Sequence, residues 1–373
     1  MAWLYKRMCF ALGVLALSLG HSAEHTPAGQ WQVGTVDNSG LGAYSSLKFD
    51  SEGNGHVAYI VDGSHQLKYG FWDHKLKRWF LMDVDKQASF CSLTLDSKQR
   101  PHISYADFGS SREGRLHYAF WNGSAWERKV IRLGDGVAFY TSIVVDANAY
   151  PYISFYDYLD SDNDFILHMR VAHWNGQFWE VRTIDDTSGS GKFNQLATDA
   201  AGNPLLAYAN VKDPNQGLRF ARLTDKGWRR EILDAPCYCW SVGVATDQAA
   251  TPNIAYIDHA NRLLKYATLS GGKWLIQTVA SIEGAAYPDR TGVAIDDNGM
   301  PYISYHDGGA GSLMLAHRKA GAWAIEMVDQ NRVGFTSSIA INHEELMIVY
   351  SDESGGVLKF ALRSLPGNTA DSK

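Results

Sequence analysis

Three residue series recur along this chain at a shared spacing. A chain that repeats itself at such a period is restricted to architectures assembled from copies of one small unit. The first series is an acidic residue closing a short apolar run: Asp50, Asp96, Asp146, Asp199, Asp247 and Asp296, with Asn342 in the last copy. The second is a Tyr-x-Asp-like step ending at Asp62, Asp107, Asp157, Asn210, Asp258, Asp307 and Asp352. The third is a tryptophan: Trp31, Trp79, Trp126, Trp179, Trp228, Trp274 and Trp323. Each series has seven members, and successive members lie 45 to 53 residues apart. A length of 373 residues would otherwise suggest two or three domains. The repeat replaces that expectation with one ring or one stack.

A single unit is legible at residues 90–133. Cys91-Ser-Leu-Thr-Leu-Asp96 reads as a first strand, and Pro101-His-Ile-Ser-Tyr-Ala-Asp107 as a second. Proline is tolerated at the first position of a strand, where its missing N–H costs no ladder bond. Leu116-His-Tyr-Ala-Phe-Trp121 is a third strand, and residues 126–131 are a fourth. Between them Asn122-Gly123 supplies the two positive-φ positions of a tight hairpin. Four short antiparallel strands in about 50 residues make one propeller blade. Runs such as Ile143-Val-Val and Ile153-Ser-Phe-Tyr are apolar on both faces, as blades packed between neighbours require. No helical period competes after residue 24.

The tryptophan series indicates how the ring closes. Trp31 lies in residues 30–37, a fourth strand with no preceding three, whereas the last unit has three strands and no closing Trp. The N-terminal strand is therefore expected to complete the final blade, which removes the open sheet edges. The expected fold class is all-β: a seven-bladed β-propeller of four-stranded antiparallel blades. An open solenoid, or a ring of six or eight blades, is the alternative.

Residues 1–23 read as a secretory signal peptide: Lys6 and Arg7, an apolar stretch to Leu19, then the small residue Ala23 at the cleavage site. The apolar stretch is short for a membrane span, which needs about 20 residues. The expected organisation is a signal at 1–23, one propeller domain at 24–365 and a tail at 366–373. The expected location is secreted or periplasmic, with no membrane span, as a monomer. The formal net charge of −6 argues against a nucleic-acid partner.

Asp-Ala-Ala-Gly-Asn-Pro at Asp199 to Pro204, Asp-Asp-Asn-Gly-Met-Pro at Asp296 to Pro301, and Leu264-Lys-Tyr-Ala267 carry a family likeness. In these repeats the chain resembles bacterial secreted seven-bladed β-propeller proteins of the sialidase-like, BNR-type superfamily. At the level of fold it is also similar to ulvan-type polysaccharide lyases. The resemblance implies the propeller fold. The sialidase Asp-box form, Ser-x-Asp-x-Gly-x-Thr-Trp, does not occur, and fold alone does not specify a reaction.

Residues that break the repeat are the candidates for function, because residues that keep it serve packing and turns. The Asp of the Tyr-x-Asp series is read chiefly as a turn cap. A ring of carboxylates for cations or sugar hydroxyls, including Asp157 and Asp307, is the second reading. The middle residue of that step is large and polar in only two copies, Tyr156 and His306. His306 beside Asp307 suits a general base. Tyr156 suits an acid or a sugar-stacking ring. Each also suits a wedge between blades. Arg290, with Tyr287 nearby, suits a bidentate clamp on the carboxylate of an acidic sugar, or a salt bridge with Asp289. Trp240 is a further ligand-binding candidate beside them.

No cofactor is expected. Asp160, Asp162 and Asp164 alternate as in a calcium loop but lack its Gly and distal Glu, so a Ca²⁺ site and a solvated acidic loop both remain readings. Cys91, Cys237 and Cys239 follow the signal. Cys237 and Cys239 are expected to bridge each other or, less simply, to bind a soft metal, with Cys91 buried apart. No nucleophile elbow, phosphate loop or His-Glu-x-x-His occurs. The sequence thus supports a protein that binds a glycan or a protein ligand at the channel mouth. The alternative is a polysaccharide lyase or glycoside hydrolase with His306 as base, Tyr156 as acid and Arg290 as clamp. A metal-binding surface protein is a third reading.

Overall fold

A computed structural model describes residues 30–107, 115–131, 137–161, 164–212, 214–284 and 291–365, with the side chains of residues 137 and 158–166 outside the description. It contains 28 strands in seven four-stranded antiparallel sheets, arranged as a ring of blades. Blades 1 to 6 occupy residues 42–85, 89–131, 137–185, 190–234, 239–281 and 292–329. Their strands run in chain order, from an inner strand at the central channel to an outer strand at the rim. Blade 7 takes three strands from residues 333–364 and its outer strand from Gln32–Asp37. That N-terminal strand pairs antiparallel with Val357–Ser364, Gln32 facing Leu362. The expected closure and blade count are both found.

The second strands are buried along nearly their whole length, because a blade presents both sheet faces to neighbours. The tryptophan series fills the gaps between blades. Five of the outer-strand tryptophans meet an aromatic of the preceding blade's third strand, among them Trp126 on Tyr69 at 5.2 Å, Trp179 on Tyr118 at 5.6 Å and Trp274 on Phe220 at 5.0 Å, whereas Trp228 joins a cluster with Val171. Such pairs contribute about 0.5–1.5 kcal/mol each beyond area burial.

The acidic series does what turns require. Asp50 Oδ1 accepts from the N–H groups of Glu52 and Asn54, and Asp96, Asp146, Asp199 and Asp296 repeat this pattern. In the Tyr-x-Asp step the tyrosine has its own role. Tyr59, Tyr105, Tyr208, Tyr256 and Tyr350 each donate their phenol to an aspartate at the end of the preceding blade's outer strand: Asp37, Asp85, Asp185, Asp234 and Asp329, at 2.6–2.9 Å. A base from the third strand, Lys68, Arg219, Lys265 or Lys359, joins four of these latches. In blade 6, where Ala280 stands at the aspartate position of the blade before, the base is absent too and Met314 replaces it. Acceptor and donor are lost together.

Candidate functional site

The channel itself is closed to ligands. Inner strands are stitched from blade to blade: the N–H groups of Leu93, Ile143 and Leu196 donate to the hydroxyls of Ser46, Ser92 and Ser142. Val244 N–H donates to the Gln195 side chain, and Leu47 N–H to Ser338. The lumen they leave is about 50 Å³. A lumen of that size has room for a few waters and none for a sugar ring. Recognition by the ring axis must therefore take place at the mouth.

There the inner strands carry an unusual backbone. Each of the first five blades has a register shift in its inner strand, between Ala43 and Ser46, Ser89 and Ser92, Phe139 and Ser142, Lys192 and Gln195, and Trp240 and Gly243. At these bulges Tyr44, Phe90, Tyr140, Phe193 and Ser241 have φ of 50–55°. A left-handed conformation costs a residue with a Cβ roughly 1–2 kcal/mol. Bulges favour glycine there; four successive blades use an aromatic instead. Such strain persists only where the surroundings enforce it, and it clusters at functional sites.

The result is a continuous aromatic arc. Tyr44 meets Phe90 at 4.6 Å, Phe90 meets Tyr140 at 4.6 Å, Tyr140 meets Phe193 at 5.0 Å, and Phe193 meets Trp240 at 5.0 Å. Trp240 also stacks on His259 at 5.1 Å and touches Tyr238 at 5.6 Å. Phe90 and Phe193 are buried, while Tyr44, Tyr140, Trp240 and Tyr238 are half-buried. The Lys192 ammonium lies 5.0 Å from the Phe193 ring and 4.7 Å from that of Trp240. The arc thus presents ring faces, a phenol or two and a cation in one place.

Trp240 is the sequence candidate that the structure brings into this arc. Tyr156 and His306 lie at equivalent positions in blades 3 and 6, each 8% exposed. His306 Nδ1 is 3.0 Å from the Val333 carbonyl of blade 7, and its ring is edge-on to Phe335. Burial lowers its pKa, although the Val333 carbonyl acts in the opposite direction. The Tyr156 ring lies against Gly191 of blade 4, where an added Cβ would come within 3.0 Å of it. Both side chains are thus wedged between blades, and blades 4 and 5 separate one from the other. Asp157 is fully buried and takes Arg170 Nη1 at 2.5 Å. Asp307 caps its own turn by accepting from Gly309 N–H at 3.0 Å. Tyr287 and Arg290 lie outside the described residues. The segment read as a loop through Asp160, Asp162 and Asp164 is largely hairpin: the strands run through to Ser161 opposite Asp164, with Asp162 and the side chains outside the description.

Cys237 and Cys239 form a disulfide, and Cys91 is buried elsewhere, its thiol 3.1 Å from the Tyr44 carbonyl. Cys237 approaches Asp234 and Asp258 as a metal site would. The fit is poor: the sulfur is in the disulfide, and the Lys265 ammonium already sits 2.9 Å from both carboxylates.

The arc was present in the sequence as an aromatic three residues before the inner-strand Leu or Ile, in Tyr44-Ser-Ser-Leu47, Phe90-Cys-Ser-Leu93, Tyr140-Thr-Ser-Ile143 and Phe193-Asn-Gln-Leu196. Attention to residues that break the repeat passed over it, because the arc keeps the repeat.

No protein-family model and no curated protein matches this chain. Solved structures do resemble it. A polysaccharide lyase of the PL25 ulvan lyase family, bound to -[GlcA(1-4)Rha3S]-, aligns with a TM-score of 0.59 and 13% identity over 89% of this chain and 95% of that one. AofleA from Arthrobotrys oligospora aligns with a TM-score of 0.53 and 13% identity over 83% and 92%. The polysaccharide lyase Uly1 aligns at 0.52 and 9% over 90% and 99%. At these identities the likeness is one of fold.

Proposed function

We propose that this protein is a glycan-binding propeller whose ligand sits on the aromatic arc at the channel mouth. The observation that carries the reading is the run of left-handed aromatics from Tyr44 to Phe193, ending on Trp240. Ring faces suit the C–H faces of sugars, and a tyrosine or tryptophan adds a polar edge. Lys192, over the Phe193 and Trp240 rings, favours an acidic sugar. The ulvan lyase that shares the fold is bound to a glucuronate-containing saccharide, which supports the same class of ligand. Export by the segment at residues 1–23 would bring the protein to such polymers, and N-terminal sequencing of the mature chain tests that cleavage.

The test is calorimetric titration with oligomers of the -[GlcA(1-4)Rha3S]- repeat and with polyglucuronate. Binding that falls at least tenfold in Trp240→Ala and in Lys192→Ala supports the mouth. Absence of binding, or binding indifferent to both changes, refutes it. The same mixtures distinguish the lyase alternative. Burial lowers the His306 pKa, the direction that suits a base, and a lyase generates a conjugated double bond that absorbs in the ultraviolet. Growth of that absorbance, abolished in His306→Gln, would convert the binding protein into an enzyme.

A further inference from the structure

The gaps between blades at the outer rim are comparable position by position, and most are filled. Between blades 1 and 2, Trp126 packs on Tyr69. Between blades 7 and 1, Trp79 packs with Phe360. Between blades 4 and 5, Trp274 packs on Phe220. Between blades 5 and 6, the Arg318 guanidinium lies 4.4 Å over the Trp323 ring and bonds Gln277. Between blades 6 and 7, Arg363 lies 4.5 Å over Trp31 and bonds Glu326. In those last two gaps the protein itself places a planar, hydrogen-bonding group on the indole.

Two adjacent gaps hold clefts lined from both of their blades. The cleft between blades 2 and 3 has a volume of about 310 Å³, and the cleft between blades 3 and 4 about 270 Å³. The residues equivalent to Arg318 and Arg363 are Trp174 and Leu223, which cannot fill the space with a bonded guanidinium. Both clefts hold the same parts. An acid and a base two residues apart on the outer strand line one wall, Glu127 with Lys129 and Glu180 with Arg182. The next blade's tryptophan, Trp179 or Trp228, forms the other. The indole nitrogens of Trp79, Trp126, Trp274 and Trp323 are sealed and unpartnered.

The carboxylates are positioned alike as well. Glu127 accepts from Asn122 Nδ2 at 2.8 Å, and Glu180 from Asn175 Nδ2 at 2.7 Å. Each Asn begins an Asn-Gly hairpin. The sequence Asn-Gly-x-x-Trp-Glu-x-(Lys or Arg) therefore occurs at Asn122 to Lys129 and again at Asn175 to Arg182, 53 residues on, and in no other blade. Turn, acid and base are kept together only in the two blades whose outer strands line open clefts.

We propose that these two clefts are a tandem pair of binding sites for neutral pyranose units, separate from the mouth. Each offers an indole for a C–H face and one acid beside one base. An acceptor and a donor held side by side match neighbouring sugar hydroxyls. The acid and base balance each other, which favours a neutral ring over an acidic one. A single polymer touching both clefts gains avidity, because its second contact is intramolecular.

The test uses the methyl glycosides of glucose, galactose, mannose, rhamnose and fucose, with glucuronic acid as the charged control. Saturation-transfer NMR on the full chain is expected to show at least one neutral glycoside bound, and any glucuronic acid signal is expected to be lost in Trp240→Ala and kept in the cleft variants, because it belongs to the mouth. Glu127→Gln and Glu180→Gln alter exposed or half-exposed side chains, so both should fold; thermal melts check this. Each is expected to weaken the bound glycoside's signal at its own cleft, and the double variant to remove it. Trp240→Ala is expected to leave this signal unchanged, which separates the result from the fate of the mouth. Failure of all five glycosides, or binding that the double variant retains, overturns the proposal.

Discussion

Asp185 shows how much a single latch between blades holds. It ends the outer strand of blade 3 and is 1% exposed. From blade 4 it accepts Tyr208 Oη at 2.9 Å, Arg219 Nη1 at 2.7 Å and Arg230 Nη1 at 2.5 Å. Ser190 Oγ and the Thr187 N–H add bonds at 3.1 and 3.0 Å. Burial alone would raise the pKa of this carboxyl; the bonds from Thr187 and Arg219 outweigh it and hold the pKa below the usual carboxylate range. Asp185→Asn keeps the shape and removes the charge, leaving Arg219, itself 7% exposed, without its counter-ion. Breaking a buried pair in this way costs about 3–5 kcal/mol. At about 2 °C per kcal/mol for a large domain, Tm should fall by about 6–10 °C. Tyr208→Phe removes one bond to a charged group, worth about 1.5–3 kcal/mol, and the double variant should lose less than the sum of the two. The assay is urea unfolding at neutral pH, then at stepwise lower pH. Because the folded pKa is depressed, the stabilisation is present above the unfolded value of about 3.9 and is lost as pH falls below it. The gap between parent and Asp185→Asn should therefore narrow below about pH 4. A gap under about 1 kcal/mol at neutral pH, or one that does not narrow in acid, would refute the reasoning.

Deleting residues 30–37 exposes the edge of Val357–Ser364 and removes Asp37, the acceptor of Tyr59 and Lys68; the shortened chain should be recovered insoluble or melt far below the parent. Lys265→Met leaves Asp234 and Asp258 facing each other without the ammonium between them, so stability should fall by about 3 kcal/mol at neutral pH and recover partly as the carboxylates protonate. Ala320 is exposed with φ of 49°. Ala320→Gly should raise stability by about 0.5–1 kcal/mol, the relief of left-handed strain less glycine's extra chain entropy, measured as a small increase in urea midpoint.

The repeat in Asp50, Asp62, Trp79 and their copies made the blade count, the strand order and the role of residues 30–37 legible, because each depends on contacts within one unit or on counting units. Pro101 and the Asn-Gly turn before Trp126 placed strand boundaries for the same reason: turn chemistry is local. His306 and Tyr156 were visible as departures from the repeat, but whether a departure faces solvent or the next blade is a matter of neighbours. Phe90 and Phe193 keep the repeat, and it is their left-handed backbone and their shared contact with Tyr140 that mark them out.

What the chain alone determined is the unit, its number and the way its ends meet, since hydrophobic pattern and turn residues act over a few positions. What the assembled ring decided is every relation across a gap: which tyrosine finds an aspartate, which indole is covered by an arginine and which is left facing a cleft. The tyrosine and aspartate of each latch stand 20 to 23 residues apart in the chain, on different blades. They meet only because closure of the ring fixes one blade against the next, so the same Trp serves as packing in one gap and as an open wall in another.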